Sequence, residues 1–220
     1  WLQKFIDKLI FVFVEKQRYL YIVKGLQTTI IVTLFALLLG LLIGIIVAVI
    51  RTAHDQMAES RRDGITGVLL NILNAVCRLY LTVIRGTPTM VQLLLMFFVF
   101  LASSNNKVMV AILTFGINSG AYVAEIFRSG IMSVDKGQTE AGRSLGLNYW
   151  QTMRSVIIPQ AFKNVLPALG NELITLLKET SVVTVIGLRD LTKGALIIQS
   201  KTYQAFVPFF AIAGIYLVMV

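Results

Sequence analysis

The stretch from Ile22 to Ile50 carries a single charge, Lys24, and this constrains the chain more than any other feature. A bilayer's hydrocarbon core is crossed by about 20 apolar residues in a helix, so this run is long enough to span it. Further apolar runs follow. Pro88–Ala102 is uncharged but short, Val108–Ile126 carries only Glu125, Val165–Ile186 carries three charges, and Phe206–Val220 carries none. In lipid every backbone polar group must be satisfied internally, so only helices and closed barrels qualify. The alternating ten-residue segments of a barrel are missing. The reading is an all-α membrane protein with about five transmembrane helices. Its 14% of charged residues, against about 25% in soluble domains, agrees. The chain neither starts with Met nor ends in a polar tail, so both ends are expected to be incomplete.

The formal net charge of +9 is that of a basic membrane protein and needs no nucleic-acid partner. Lys and Arg placement gives an orientation. Arg51, Arg61, Arg62, Arg78 and Arg85 follow the first span, and Arg128, Lys136, Arg143, Arg154 and Lys163 follow the third. The other side holds Lys4, Lys8, Lys16, Arg18, Lys24, Lys107, Arg189, Lys193 and Lys201. The first five of these fall in or next to a surface helix. Setting them aside places both long connections in the cytoplasm and the start of the chain outside.

Residues 1–20 read as an amphipathic interfacial helix, with Leu2, Phe5, Ile6, Leu9, Ile10 and Phe13 at helical spacing between lysines. An ordinary extension packed on the first span fits the same pattern. Residues 21–220 form the transmembrane domain. Ala36, Gly40, Gly44 and Ala48 recur every fourth residue, a stripe that lets a second helix approach closely. Ala53–Gly64 reads as a polar loop. Val68–Ile84, which includes Asn71, Asn74 and Arg78, reads as a surface or scaffold helix better than as a full span, with a sixth span as the alternative. Arg85-Gly86-Thr87-Pro88 breaks the chain and restarts it as the next span.

Cys77 and His54 are each the sole residue of their type, so no disulfide or metal-ligand cluster is expected, and no phosphate loop is present. Energy has to enter from a partner. The place for that is a polar insert at about 136–159. Lys136–Thr152 has the composition of a short solvent-side helix that Gly146-Leu147-Asn148 could bend, and Pro159 is expected to stop the helix before the fourth span. On composition alone, a loop helix that only caps the membrane domain fits equally well.

Glu140-Ala141, then Gly146 and Pro159, fall at the positions of the EAA signature, E-A-A-x3-G-x9-I-x-L-P. Gly142 stands for its second Ala, a change that costs helix propensity, and Val156 and Ile158 stand for its Ile and Leu. This resembles the permease subunits of ATP-binding-cassette (ABC) importers. Gly25-Leu26-Gln27-Thr28-Thr29, Arg85-Gly86-Thr87-Pro88 with Gln92, Tyr122–Arg128, Gly170-Asn171-Glu172 and Lys178-Glu179-Thr180-Ser181 resemble its polar amino acid uptake branch, from about Gly25 to the end.

The resemblance implies a type I ABC importer permease (MetI-like) fold in a bacterial-type inner or plasma membrane. It makes residues 136–159 a cytoplasmic coupling helix whose Glu140, Ala141, Gly142, Gly146 and Pro159 face an ATPase. Implied partners are two ATP-binding subunits that carry ATP and Mg, an extracytoplasmic solute-binding protein, and a second permease subunit, identical or related. The cargo would be a polar amino acid, basic ones included.

Charges inside spans default to a functional reading, because a charge at mid-helix costs about 2.5–3.5 kcal/mol on insertion scales. Asn118, Tyr122, Glu125 and Ser129 form one stripe, and Asn171, Thr175 and Lys178 another, with Glu172 and Glu179 beside it. The expectation is that these stripes face each other. Asn118, Tyr122, Glu125, Gln92, Glu172, Thr175 and Lys178 are then the substrate-binding candidates. A salt bridge, such as Glu125 with Arg128 at i, i+3, or interhelical hydrogen bonds are the plainer alternative. A secondary transporter driven by an ion gradient accounts for intramembrane charges but not for the insert. An intramembrane enzyme lacks its constellation.

Overall fold

The computed structural model describes residues 2–57 and 65–220, and among them the chain is almost wholly helical. In order these are α1 (Leu2–Leu9), α2 (Tyr19–Met57), α3 (Ile65–Gly86), α4 (Thr89–Leu95), α5 (Lys107–Met132), α6 (Lys136–Ser144), α7 (Tyr149–Thr152), α8 (Ile158–Glu179), α9 (Leu191–Thr202) and α10 (Phe206–Met219). With 39 residues, α2 is about 58 Å long, well beyond the hydrocarbon thickness of about 30 Å.

Among the described residues, three helices are long and apolar enough to cross a membrane, in Tyr19–Asp55, Gly67–Gly86 and Lys107–Met132. The second favours the span alternative for Val68–Ile84 over the scaffold helix, by length and composition. It is one unbroken helix that takes in Arg85 as well as Arg78. The expected loop from Ala53 is also helical as far as Met57, and its remainder, with Arg61 and Arg62, lies outside the described residues. The expected fourth span, 165–186, is α8 only as far as Glu179. Thr180–Ile186 then tightens into a 3₁₀ turn that ends at Gly187, φ 71°. Thr89–Phe100 and Phe206–Met219 are shorter apolar helices.

The described chain forms two compact units, and α2, α5 and α8 each contribute to both. The first unit contains residues 1–36, 89–115 and 174–220. Its core gathers Val12, Ile22, Leu191, Ala195, Ile198, Val207 and Ile212. Here α2 and α9 touch through backbone. A Cβ on Gly25 would lie 2.4 Å from the Asp190 carbonyl oxygen, and one on Gly194 would lie 2.6 Å from the Tyr21 carbonyl oxygen. Buried Asp190 caps α9. Its carboxylate accepts from the Thr192 and Lys193 N–H groups at 3.0 and 2.9 Å and from the Thr184 hydroxyl at 2.7 Å.

The second unit contains residues 37–88 and 116–173. Gly40 and Gly44 of the small-residue stripe admit α5. A Cβ at Gly44 would meet Val123 Cγ1 at 2.4 Å, and one at Gly40 would meet Ser119 Cβ at 2.9 Å. Val47, Cys77, Leu81, Ala121 and Ala124 pack beside this contact and draw α3 in. The stripe is packing, as its spacing indicated.

Candidate functional site

The insert belongs to the second unit and is two helices, not one. Asp135 starts α6 by accepting from the Gly137 N–H at 2.7 Å. α6 ends where Gly146 takes φ 81°, a left-handed conformation that glycine adopts without steric cost. The turn is closed by Gly146 N–H to the Arg143 carbonyl, 2.9 Å, and Leu147 N–H to the Gly142 carbonyl, 3.1 Å. Asn148 then caps α7 through a reciprocal box with Gln151. Its side chain accepts the Gln151 N–H at 2.9 Å, and its own N–H donates to the Gln151 side chain at 2.8 Å.

Pro159 does not stop the helix, contrary to expectation. The backbone passes from α7 through a π-helical turn, Met153–Ile157, into α8, and Pro159 sits in the first turn of α8. The widened turn accommodates a residue that has no N–H to donate. Glu140, Ala141, Gly146 and Pro159 are exposed, while Gly142 is buried. A Cβ there would lie 2.7 Å from Thr152 Cγ2, so Gly142 is the residue that lets α6 rest on α7. Leu145 and Trp150 are 81% and 76% exposed, two large apolar side chains offered outward by the insert. Thr52, Asp55, Arg128, Lys136, Thr139 and Thr152 are among the residues lining a cavity of about 340 Å³ beside it.

The polar residues of α5 have specific partners. Ser119 Oγ donates to Glu172 Oε1 at 2.7 Å, both groups buried, so a carboxylate of α8 is held inside the second unit. Asn118 is buried next to Ser119 in the sequence. Glu125 pairs with Arg51 of α2 at 2.7 Å, and Arg85 reaches the same carboxylate at 4.0 Å. Arg85 also lies over the Tyr122 ring at 5.7 Å. Arg128, the expected partner of Glu125, instead pairs with Asp55 at 3.1 Å. Ser129 Oγ turns back to the Ile126 carbonyl, 3.0 Å.

The polar α5–α8 contact is that of Ser119 with Glu172, and the two helices also meet at Gly130 and Val165. Asn171, Thr175 and Lys178 are exposed. In the first unit Gln92 is buried, and Glu179 accepts from the Thr89 hydroxyl at 3.4 Å. Ser119 was missed because it lies one residue off the polar stripe, where it reads as a small packing residue.

Residues 65–220 match the family described as "Binding-protein-dependent transport system inner membrane component". The chain belongs to that family. It is 39% identical to the arginine transport system permease protein ArtQ of Bacillus subtilis (strain 168), over 71% of this chain and 78% of that one. It is 40% identical to the glutamine transport system permease protein GlnP of Escherichia coli (strain K12), over 67% and 69%. Among solved structures, an amino acid ABC transporter crystallised with histidines is similar, with TM-score 0.80, 43% identity, and coverage of 94% of this chain and 91% of that one. An inward-facing MetNI methionine ABC transporter shares the fold, with TM-score 0.63 at 18% identity, covering 90% and 96%. The chain is thus a multi-pass inner membrane permease component with the MetI-like fold.

Proposed function

We propose that in this chain, the permease subunit of an amino acid ABC importer, Glu172 binds the cationic part of a polar amino acid cargo. The observation that carries this is the Ser119–Glu172 pair. A carboxylate 9% exposed among apolar helices is costly unless it is hydrogen-bonded or meets a cation. Ser119 supplies one bond, and the carboxylate so held, with buried Asn118 next to Ser119 in the chain, presents a negative charge that an ammonium or guanidinium of the cargo would meet. Glu125 is engaged by Arg51 and Arg85, so it holds α2, α3 and α5 together and is a weaker candidate for direct contact.

Energy would arrive at the insert, where the exposed face around Glu140, Ala141, Leu145 and Trp150 receives one of two ATP-binding subunits. A second permease subunit and an extracytoplasmic solute-binding protein complete the assembly. ATP-driven closure would shift the permease from inward- to outward-facing by stabilising one of two states. The test is uptake of a panel of labelled amino acids by the complex in proteoliposomes. Uptake should require ATP and survive ionophores that collapse ion gradients. Glu172→Gln should cut uptake of basic amino acids at least about tenfold while ATPase activity persists. Wild-type uptake by Glu172→Gln removes this residue from the site. Ionophore-sensitive, ATP-independent uptake establishes the secondary transporter instead.

A further inference from the structure

At the start of α2 lies a cavity of about 210 Å³ lined by Lys16, Lys24 and Arg189, together with Leu20, Tyr21 and Ile197 among others. No Asp or Glu is among its described lining residues. Of the two carboxylates next to lining residues in the chain, Asp190 is buried and committed to the cap of α9, and Glu15 is exposed and outside the lining. A further cation backs the wall, since Lys201 Nζ bonds the Tyr21 hydroxyl and sits 4.5 Å from the centre of that ring.

The backbone there is unusual. Lys16 and Gln17 both have φ 53°, a left-handed conformation that non-glycine residues seldom take and that tends to mark functional positions. The buried Arg18 guanidinium holds this elbow by bonding the Phe11 carbonyl and lying 5.1 Å from the centre of the Phe11 ring. The elbow thus fixes Lys16 against α2, not in an extended arm.

We propose that this pocket binds the phosphate of an anionic phospholipid headgroup. Three cations with no lining carboxylate select an anion. Its position selects a lipid. Lys24 is the charge that begins the long apolar run of α2, which places it at headgroup depth. Close in sequence to these lining residues, Val14, Tyr19 and Val23 are exposed apolar side chains suited to acyl chains, at 60%, 45% and 53%. A surface built to meet a soluble acidic protein would not need them. The preceding helix α1, with Lys4 and Lys8, extends the basic character along the same segment.

The test uses the assembled complex in nanodiscs of dioleoyl phosphatidylcholine containing a minority of dioleoyl phosphatidylglycerol, with lipids retained after release counted by native mass spectrometry. Wild type should retain phosphatidylglycerol over phosphatidylcholine. K16Q/K24Q/R189Q should lose that preference by about tenfold or more, and Lys163→Gln should not. Lys16→Gln alone, at an exposed position where folding is not at risk, should reduce it several-fold. Millimolar inorganic phosphate should not displace the lipid. Equal retention of the two lipids, or unchanged retention in the variants, overturns the proposal. Displacement by inorganic phosphate makes the pocket a free-anion site. Loss of solute-binding-protein affinity with lipid retention intact makes it a protein-docking face.

Discussion

Gly142→Ala sets two effects of known sign against each other. Alanine in mid-helix gains roughly 1 kcal/mol over glycine, so α6 by itself would be stabilised. The added methyl, however, would lie 2.7 Å from Thr152 Cγ2, 2.9 Å from its Oγ1 and 3.3 Å from its Cβ. Thr152 has little room to give way, being buried with its hydroxyl donating to the Asn148 carbonyl at 3.1 Å. Overpacking of this kind costs about 1–3 kcal/mol, so the net expectation runs from about zero to a loss of 2 kcal/mol, with the helix tilted off α7. The readouts are the thermal midpoint of the complex in detergent and transport per ATP hydrolysed in proteoliposomes. Gly142→Ala should lower both. Thr152→Ala should recover part of the loss in the double variant, because the offending Cγ2 and Oγ1 are gone. The cycle then shows a coupling of about 0.5–3 kcal/mol. If Gly142→Ala raises the midpoint and leaves transport intact, helix propensity wins and the argued α6–α7 contact is not tight.

Other expectations are simpler. Arg51→Gln and Glu125→Gln should each destabilise the complex more than half as much as the double variant, since each single change leaves one partially buried charge without its closest partner; additive thermal midpoints would refute the coupling. Gly25→Ala should fail at the α2–α9 contact, where carbonyl and Cα backbone atoms stand under 3.0 Å from the new methyl, and the loss in thermal midpoint should exceed that of Gly86→Ala, which meets nothing within 4 Å. Asp190→Ala removes an N-cap and should cost about 0.5–2 kcal/mol, or more because Thr184 also loses its partner; an unchanged melting curve would contradict it. Trp150→Ala with Leu145→Ala should weaken ATPase-subunit co-purification without lowering the thermal midpoint of the permease alone, as both side chains are exposed.

Apolar run length and punctuation carried most of the fold. The break at Arg85–Pro88, the packing stripe Gly40–Gly44 and the bend at Gly146 lie where their local chemistry placed them. For Val68–Ile84 the scaffold helix was preferred to a span because Asn71, Asn74 and Arg78 lowered its apparent apolarity, whereas Cys77 and Leu81 on the same helix form a buried seam. Pro159 misled because a π-helical turn, which sequence periodicity does not register, absorbed it. At the candidate site, the sequence picked out Glu172 and Glu125 but not their partners Ser119 and Arg51. Ser119 with Glu172, Arg51 with Glu125 and Asp55 with Arg128 join helices far apart in sequence, and pairing of that kind is decided by tertiary packing. Gly142 was read as lost helix propensity and is instead the space that Thr152 occupies.

The ends of the apolar run in α2 define a length. From Lys24 to Arg51 the helix rises about 40 Å, close to the 40–45 Å of a bilayer with its headgroups. Hydrophobic length elsewhere on α2 leaves its depth loosely set, so these two cations act as a ruler. Membranes of shorter or longer acyl chains would force α2 to tilt or the lipid to deform, at a fraction of a kcal/mol per ångström. Transport should accordingly peak at one bilayer thickness and fall on either side of it.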